Sequence, residues 1–118
     1  RYNLQDSFIL LGSTINPYPY MKAADLYVQP SRYEGKAVTI AEAQILAKPV
    51  LITNYATSSS QIEHEVDGLI CEQSAAEIAN SIIKLYKDES LRNRLSSYCK
   101  QQDYSNNYEL NKLYQLFN

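Results

Sequence analysis

Several residue types are scarce in this chain of 118 residues, and each shortage excludes something. There is no tryptophan, and there are only one histidine, two cysteines, two phenylalanines and three glycines. His64, Cys71 and Cys99 together fall short of the four ligands that a Cys/His zinc site uses, and the cysteines stand 28 positions apart with no CxxC pair. Neither a metal nor another cofactor is expected. The thiols read as ordinary ones in a reducing cytoplasm. No apolar run approaches the roughly 20 residues that span a bilayer. No signal-peptide pattern is visible either, but residue 1 is Arg and not Met, so that absence carries little weight. An excess of positive charge is lacking too. The formal net charge is -2 and the pI about 5.3, which argues against a nucleic-acid partner held by overall charge.

What the chain has in quantity is tyrosine, with eleven in all. The ring is apolar and the hydroxyl wants a partner, a combination suited to half-buried surfaces. At 45% hydrophobic and 20% charged residues, the composition is that of one ordinary globular domain.

Apolar periodicity divides the chain into short strands and longer helices. Phe8–Leu11, closed by Gly12, reads as a buried strand. Pro17 and Pro19 interrupt regular structure before a short helix near Tyr18 to Ala24. Leu26–Val28 reads as a second strand, stopped by Pro30. From about Val38 a helical spacing brings Ile40, Ala43, Ile45, Leu46 and Ala47 forward, and Lys48-Pro49 ends it. Val50–Ile52 is a third strand, rich in branched residues. One helical turn is expected over Ile62–Val66, and Leu69–Cys71 is the fourth strand. Ser74 with Glu77 matches a capping box at the start of a helix. Its expected apolar stripe is Ala75, Ile78, Ala79, Ile82, Ile83 and Tyr86. Asp88 opens a further helix with Leu91, Leu95 and Tyr98 inward and Arg92, Arg94 and Lys100 toward solvent. A last helix carries Leu110, Leu113, Tyr114 and Phe117. Strands alternating with helices predict an α/β fold: a partial, Rossmann-like doubly wound domain of about four parallel strands with flanking helices and a helical C-terminal tail. In such sheets ligands sit beyond the carboxyl ends of the strands. The loops after Leu11, Val28, Ile52 and Cys71 are therefore the place to look for function.

The loop after Val28 holds the sharpest feature, SRYEGKAVTIAEA, Ser31 to Ala43. Gly35 permits a positive φ and a close backbone approach by a ligand. Just beyond it, unpaired N–H groups and the macrodipole of the coming helix favour an anion such as phosphate. Lys36 adds charge and Thr39 a hydroxyl. Glu34 and Glu42 stand eight positions apart, and carboxylates suit the vicinal hydroxyls of ribose and hexose. On spacing alone the pair has a plain alternative, because acids are common on helix surfaces and at helix starts.

Taken together, FILLG, YPYMKAADLYVQPSRYEG, EAQILAKPVLITN and QIEHEVDGLICEQS resemble, in order, the C-terminal half of retaining glycosyltransferases of family 4, which have the GT-B fold. Glu34 and Glu42 resemble the family's Glu-x7-Glu signature. The resemblance implies a donor-binding domain whose parent enzyme moves a sugar from a nucleotide-diphosphate sugar to an acceptor hydroxyl with retention. It implies that Glu34 meets the donor sugar's hydroxyls at the reacting centre. The backbone of Gly35, Lys36, Ala37, Val38 and Thr39 would hold the sugar and its β-phosphate, and Glu42 the ribose. Ser13, Thr14 and Ile15 would lie near the base, with Tyr18 or Tyr20 walling that pocket. The arrangement uses no metal. Implied partners are the nucleotide-sugar donor and a glycan or lipid-linked acceptor, in cell-surface or capsular polysaccharide synthesis, with a cytoplasmic location at the inner membrane face.

Two positions depart from the family pattern. Lys36 stands where an aromatic or other apolar residue is usual, and Ala47 where glycine is usual. The domain also reads as incomplete. The family has about six strands in the order 3-2-1-4-5-6. The first two, with an Arg and a Lys for the diphosphate, have no counterpart here, and neither has the acceptor-binding N-terminal domain that carries any peripheral membrane contact. The 118 residues alone are accordingly expected to be inactive. Exposed strand edges, pairing of Phe8–Leu11 with Leu26–Val28, or self-association is expected in turn. The alternative reading is a non-catalytic α/β module that binds a nucleotide or a protein. A receiver-like phosphate-binding domain is weaker still, since only Asp25 and Asp67 fall near strand ends. His64, between two glutamates, reads as a surface residue; Glu63 or Glu65 in the same loop could reach the site mouth, and the resemblance favours Glu63.

Overall fold

The computed structural model describes residues 18–32 and 38–102. Their elements run α1 (Tyr18–Ala23), β1 (Tyr27–Gln29), α2 (Val38–Ile45), β2 (Val50–Thr53), a 3-10 turn (Ser58–Ser60), β3 (Leu69–Cys71), α3 (Ala75–Lys87) and α4 (Glu89–Gln101). The three strands form one parallel sheet in the order β1-β2-β3, with Val28 opposite Leu51 and Ile52 opposite Ile70. The expected strand Phe8–Leu11 and the expected last helix lie outside the described residues, as does any pairing of that strand with β1.

β2 organises the molecule because every one of its residues is buried. Successive side chains of a strand point to opposite faces. Val50 and Ile52 accordingly join Ile40, Ala43, Tyr55 and Ile62 on the α2 face. Leu51 joins Leu69, Leu85, Leu91 and Leu95 on the face covered by α3 and α4. A strand buried on both sides reads as a continuous apolar run, which VLI is. Helices on both faces of a parallel sheet make this a doubly wound α/β arrangement.

The α2 helix stops earlier than Lys48-Pro49 would require, because Ala47 adopts a left-handed conformation with φ 57°. Its N–H donates to the Gln44 carbonyl and the Lys48 N–H to the Ala43 carbonyl, both at 2.9 Å. That pair of bonds is a Schellman cap. Ser96 Oγ on α4 donates to the Ala47 carbonyl at 2.7 Å and ties this turn to the neighbouring helix. A β-carbon is unfavourable in the left-handed region. Ala47→Gly is therefore expected to stabilise the protein by about 1 kcal/mol, read as a raised denaturation midpoint at unchanged m-value.

Residues 62–66 do not form the expected helical turn. The chain instead makes a tight turn with Glu65 at φ 67°, and His64 bridges to Gly68 beside β3. Asp67 directs this outcome. Its Oδ1 accepts from the Glu63 N–H at 2.8 Å, and its Oδ2 accepts from the Gln44 amide at 3.3 Å. Gln44 is itself buried in α2, so the turn is pinned to the helix.

Burial holds the Asp67 carboxyl above the usual carboxylate range. The Glu63 N–H opposes the shift, and the nearby Glu63 charge adds to it. A folded-state value above the unfolded one means that this contribution to stability is complete below about pH 3.9 and is lost as pH rises through the raised value. Asp67→Asn keeps an oxygen for the Glu63 N–H and carries no charge. The melting temperature of this variant is expected to gain on the wild type as pH rises from 4 toward 7 (roughly the carboxylate range). A gap that narrows over that range would reverse the assignment.

α3 lies rotated by about one residue, roughly 100°, from its expected face. Leu85 is its buried residue, with Ile78, Ser81 and Ile82 half-buried beside it, whereas Ile83 and Tyr86 are 49% and 76% exposed. The reason is Leu85, fully buried in the cluster with Leu51, Leu69, Leu91 and Leu95, which turns the half-buried Ser81 inward on the same stripe. A polar residue in the true stripe made the neighbouring one read as more apolar. Ser74 Oγ caps α3 by accepting from the Glu77 N–H at 3.1 Å, while the Ser74 N–H goes to the Glu72 carbonyl, so half of the capping box forms.

Asp88 alone joins α3 to α4, and its side chain accepts from the Leu91 N–H at 2.9 Å. Leu91, Leu95 and Cys99 are the buried positions of α4, with Tyr98 half-buried. Arg92 is not the solvated residue expected. Its guanidinium donates to the Leu85 and Tyr86 carbonyls at 2.7 and 2.6 Å, satisfying the end of α3.

Candidate functional site

Parallel strands place the loops after β1, β2 and β3 at one end of the sheet, and side chains stitch these loops together. The Thr53 hydroxyl at the end of β2 donates to the Ser31 carbonyl. The Gln73 amide, just past β3, donates to the Arg32 carbonyl at 2.9 Å. The segment leaving β1 is thus held by both other strand ends, and the exposed Arg32 sits on it.

The first turn of α2 is fastened to the same place. Gln29 closes β1, and its Oε1 accepts from the Tyr27 hydroxyl at 2.8 Å and from the Thr39 hydroxyl at 2.9 Å. α2 begins at Val38, so the N–H groups of its first turn, which have no partner within the helix, open toward the carboxyl ends of the strands. The macrodipole adds partial positive charge there.

Glu42 lies one turn further along α2 and is only 6% exposed. It is engaged by a neighbouring group. A surface acid on a solvated helix face would be open to water, so that plain alternative fails for Glu42. An ionised carboxylate is costly to bury unless it is bonded, and burial of this kind marks a structural or binding task. Of the other expected site residues, Thr39 is exposed and Tyr20 is 52% exposed on α1. Ser13, Thr14, Ile15, Glu34, Gly35, Lys36 and Ala37 lie outside the described residues.

The remaining singled-out residues sit elsewhere. Asp25 precedes β1 and Asp67 precedes β3, so both lie at the amino ends of strands. A receiver-like acidic cluster at the carboxyl ends is thereby ruled out for this pair. Glu63 is bonded through its N–H to Asp67, on that same amino side, away from the site mouth it was expected to reach. His64 is exposed as expected, but it has a structural task. Its Nδ1 accepts from the Ile70 N–H at 2.9 Å and covers part of the outer edge of β3. Burial pushes the Cys71 thiol up, with the Ser81 hydrogen bond opposing and the Glu77 charge adding, which leaves a poor nucleophile.

Gln29, Thr53 and Gln73 were not singled out from the sequence. A signal was present for Gln29 and Thr53: each is a polar residue ending a buried strand, at the end where ligands gather. Gln73 gave none, because its partner is a carbonyl 41 positions away.

The fold and the loop set define a doubly wound α/β domain, and comparison with known proteins places it more narrowly. Residues 1–102 match the family described as Glycosyl transferases group 1, and the chain belongs to that family. It is 29% identical over 99 residues to the UDP-Gal:alpha-D-GlcNAc-diphosphoundecaprenol alpha-1,3-galactosyltransferase of Escherichia coli, a match covering 83% of this chain and 25% of the relative. It is 28% identical over 121 residues to the poly(ribitol-phosphate) alpha-N-acetylglucosaminyltransferase of Staphylococcus aureus, covering 98% of this chain and 24% of that one. Its structure resembles sucrose-phosphate synthase from Thermosynechococcus elongatus with a TM-score of 0.79 and 27% identity, over 98% of this chain and 32% of the synthase. The chain thus spans about a quarter of the length of these two curated relatives. Among the described residues, no helix is long and apolar enough to cross a membrane.

Proposed function

We propose that this chain is the donor-binding part of a retaining glycosyltransferase of family 4. The reaction moves a sugar from a nucleotide-diphosphate sugar to a hydroxyl of a glycan or lipid-linked acceptor. The observation that carries this reading is the burial of Glu42, at 6% exposure, one turn into a helix that opens at the carboxyl end of a parallel sheet. Glu34 takes the donor sugar's hydroxyls, the backbone of Gly35 to Thr39 the β-phosphate, and Glu42 the ribose. Ser13, Thr14 and Ile15 line the base pocket, with Tyr20 on its wall. The helix start and nearby cations stabilise the departing diphosphate by preorganised charge, without a metal.

The names of the relatives support the setting. One transfers galactose from UDP-Gal to a diphosphoundecaprenol-linked sugar, and another acts on poly(ribitol phosphate). Cell-surface polysaccharide synthesis at the cytoplasmic face of a membrane follows as the proposed place of work. The test is a panel of nucleotide sugars on the full-length protein, comparing wild type with Glu34→Ala and Glu42→Ala. Loss of transfer in both variants is expected. Normal activity in both would sink the site assignment.

A further inference from the structure

Gln29 stands out because its half-buried amide has one end fully committed. The Tyr27 hydroxyl and the Thr39 hydroxyl converge on its Oε1, from the same strand and from the first turn of α2. A carbonyl oxygen has two lone pairs, and both are used. Each hydroxyl has one proton, and both are used as well. Two consequences follow. The Thr39 hydroxyl, at the start of α2 where a phosphate is expected, has no proton left to donate. The amide of Gln29 is held in one orientation, and its Nε2 carries two N–H donors on the side away from the two hydroxyls.

We infer that Gln29, not Thr39, is the side-chain donor of this site, and that its Nε2 binds a diphosphate oxygen of the nucleotide. This rests on the donor-site reading given above. Position favours it, since Gln29 is the last residue of β1 at the carboxyl end of the sheet, directly before the loop that leads into α2. Preorganisation favours it too. An amide whose rotamer is locked by two hydroxyls loses little freedom when a ligand arrives. In this arrangement Tyr27 and Thr39 are positioning residues: they aim the amide and do not touch the nucleotide.

The experiment is calorimetric titration of the full-length protein with uridine diphosphate and guanosine diphosphate, using wild type, Gln29→Glu and Gln29→Met, with melting temperatures recorded in parallel. The glutamate keeps both acceptor bonds to Tyr27 and Thr39 but has no N–H. The methionine has the same length, no charge and no donor. Both variants are expected to lose about tenfold or more in affinity for whichever diphosphate the wild type binds. Gln29→Glu is expected to melt as the wild type does, which separates lost contact from lost structure. Wild-type affinity in either variant overturns the inference and leaves the donor-site reading standing. A wild type that binds neither diphosphate overturns the donor-site reading, and this inference with it.

Discussion

Gly68→Ala is expected to lower the melting temperature by roughly 5–15 °C, one of the two largest effects foreseen for this protein. A β-carbon at position 68 would stand 2.9 Å from the Val50 carbonyl oxygen and 3.0 Å from both Cδ1 and Cγ2 of Ile62. The near atom in β2 is backbone, and Val50 is fully buried in the central strand. It cannot retreat without disturbing pairings to β1 on one side and β3 on the other. Ile62 is buried too, at 1% exposure, so its branches have nowhere to turn. Overpacking of this kind costs about 1–3 kcal/mol. That is a large share of the ~5–15 kcal/mol by which domains are stable. Thermal melting of the variant checks it. Adding Ile62→Val removes Cδ1, and is expected to recover part of the loss while the contact with Val50 remains. A single variant that melts like the wild type would show that β2 yields.

The second large effect is on activity. Glu42→Gln in the full-length protein is expected to raise the KM for the nucleotide sugar by about 100-fold while kcat changes little. The ribose is remote from the reacting carbon, so the carboxylate holds ground state and transition state alike, and uniform binding appears in KM. Glutamine keeps one acceptor oxygen and loses one charge-assisted hydrogen bond, worth about 1.5–3 kcal/mol or roughly 10- to 150-fold. Glutamine keeps the shape of a side chain that is 6% exposed, and so avoids the cavity that alanine would leave. Glu34→Ala, placed at the reacting centre, is expected to act on kcat instead. An unchanged KM in Glu42→Gln would remove the ribose role from this residue.

Much of the fold was legible because its signals are local. Val50–Ile52 is a short branched run between Pro49 and a polar loop, and a fully buried strand has that pattern. Ser74 before an apolar spacing marked the start of α3, and Asp88 marked the start of α4. α3 was assigned correctly as a helix and wrongly as a face. Periodicity reports that a stripe exists, but two adjacent stripes here carry similar apolar content. Packing of Leu85 into the cluster of Leu51, Leu69, Leu91 and Leu95 chose the one containing Ser81. The turn at residues 62–66 was missed for a related reason. Its shape depends on Asp67 reaching Gln44, a partner 23 positions away.

The sequence by itself determined the alternation of strands and helices, the end of the sheet at which to look, and the spacing of Glu34 and Glu42. These are properties of neighbours along the chain, and backbone geometry converts them directly into structure. Only the tertiary structure decided that Glu42 is buried and that Asp25 and Asp67 sit at the wrong end of their strands for a shared site. It also decided that two hydroxyls converge on Gln29. Burial and convergence arise when segments far apart in sequence pack together, and no local pattern records which side chains then share an acceptor.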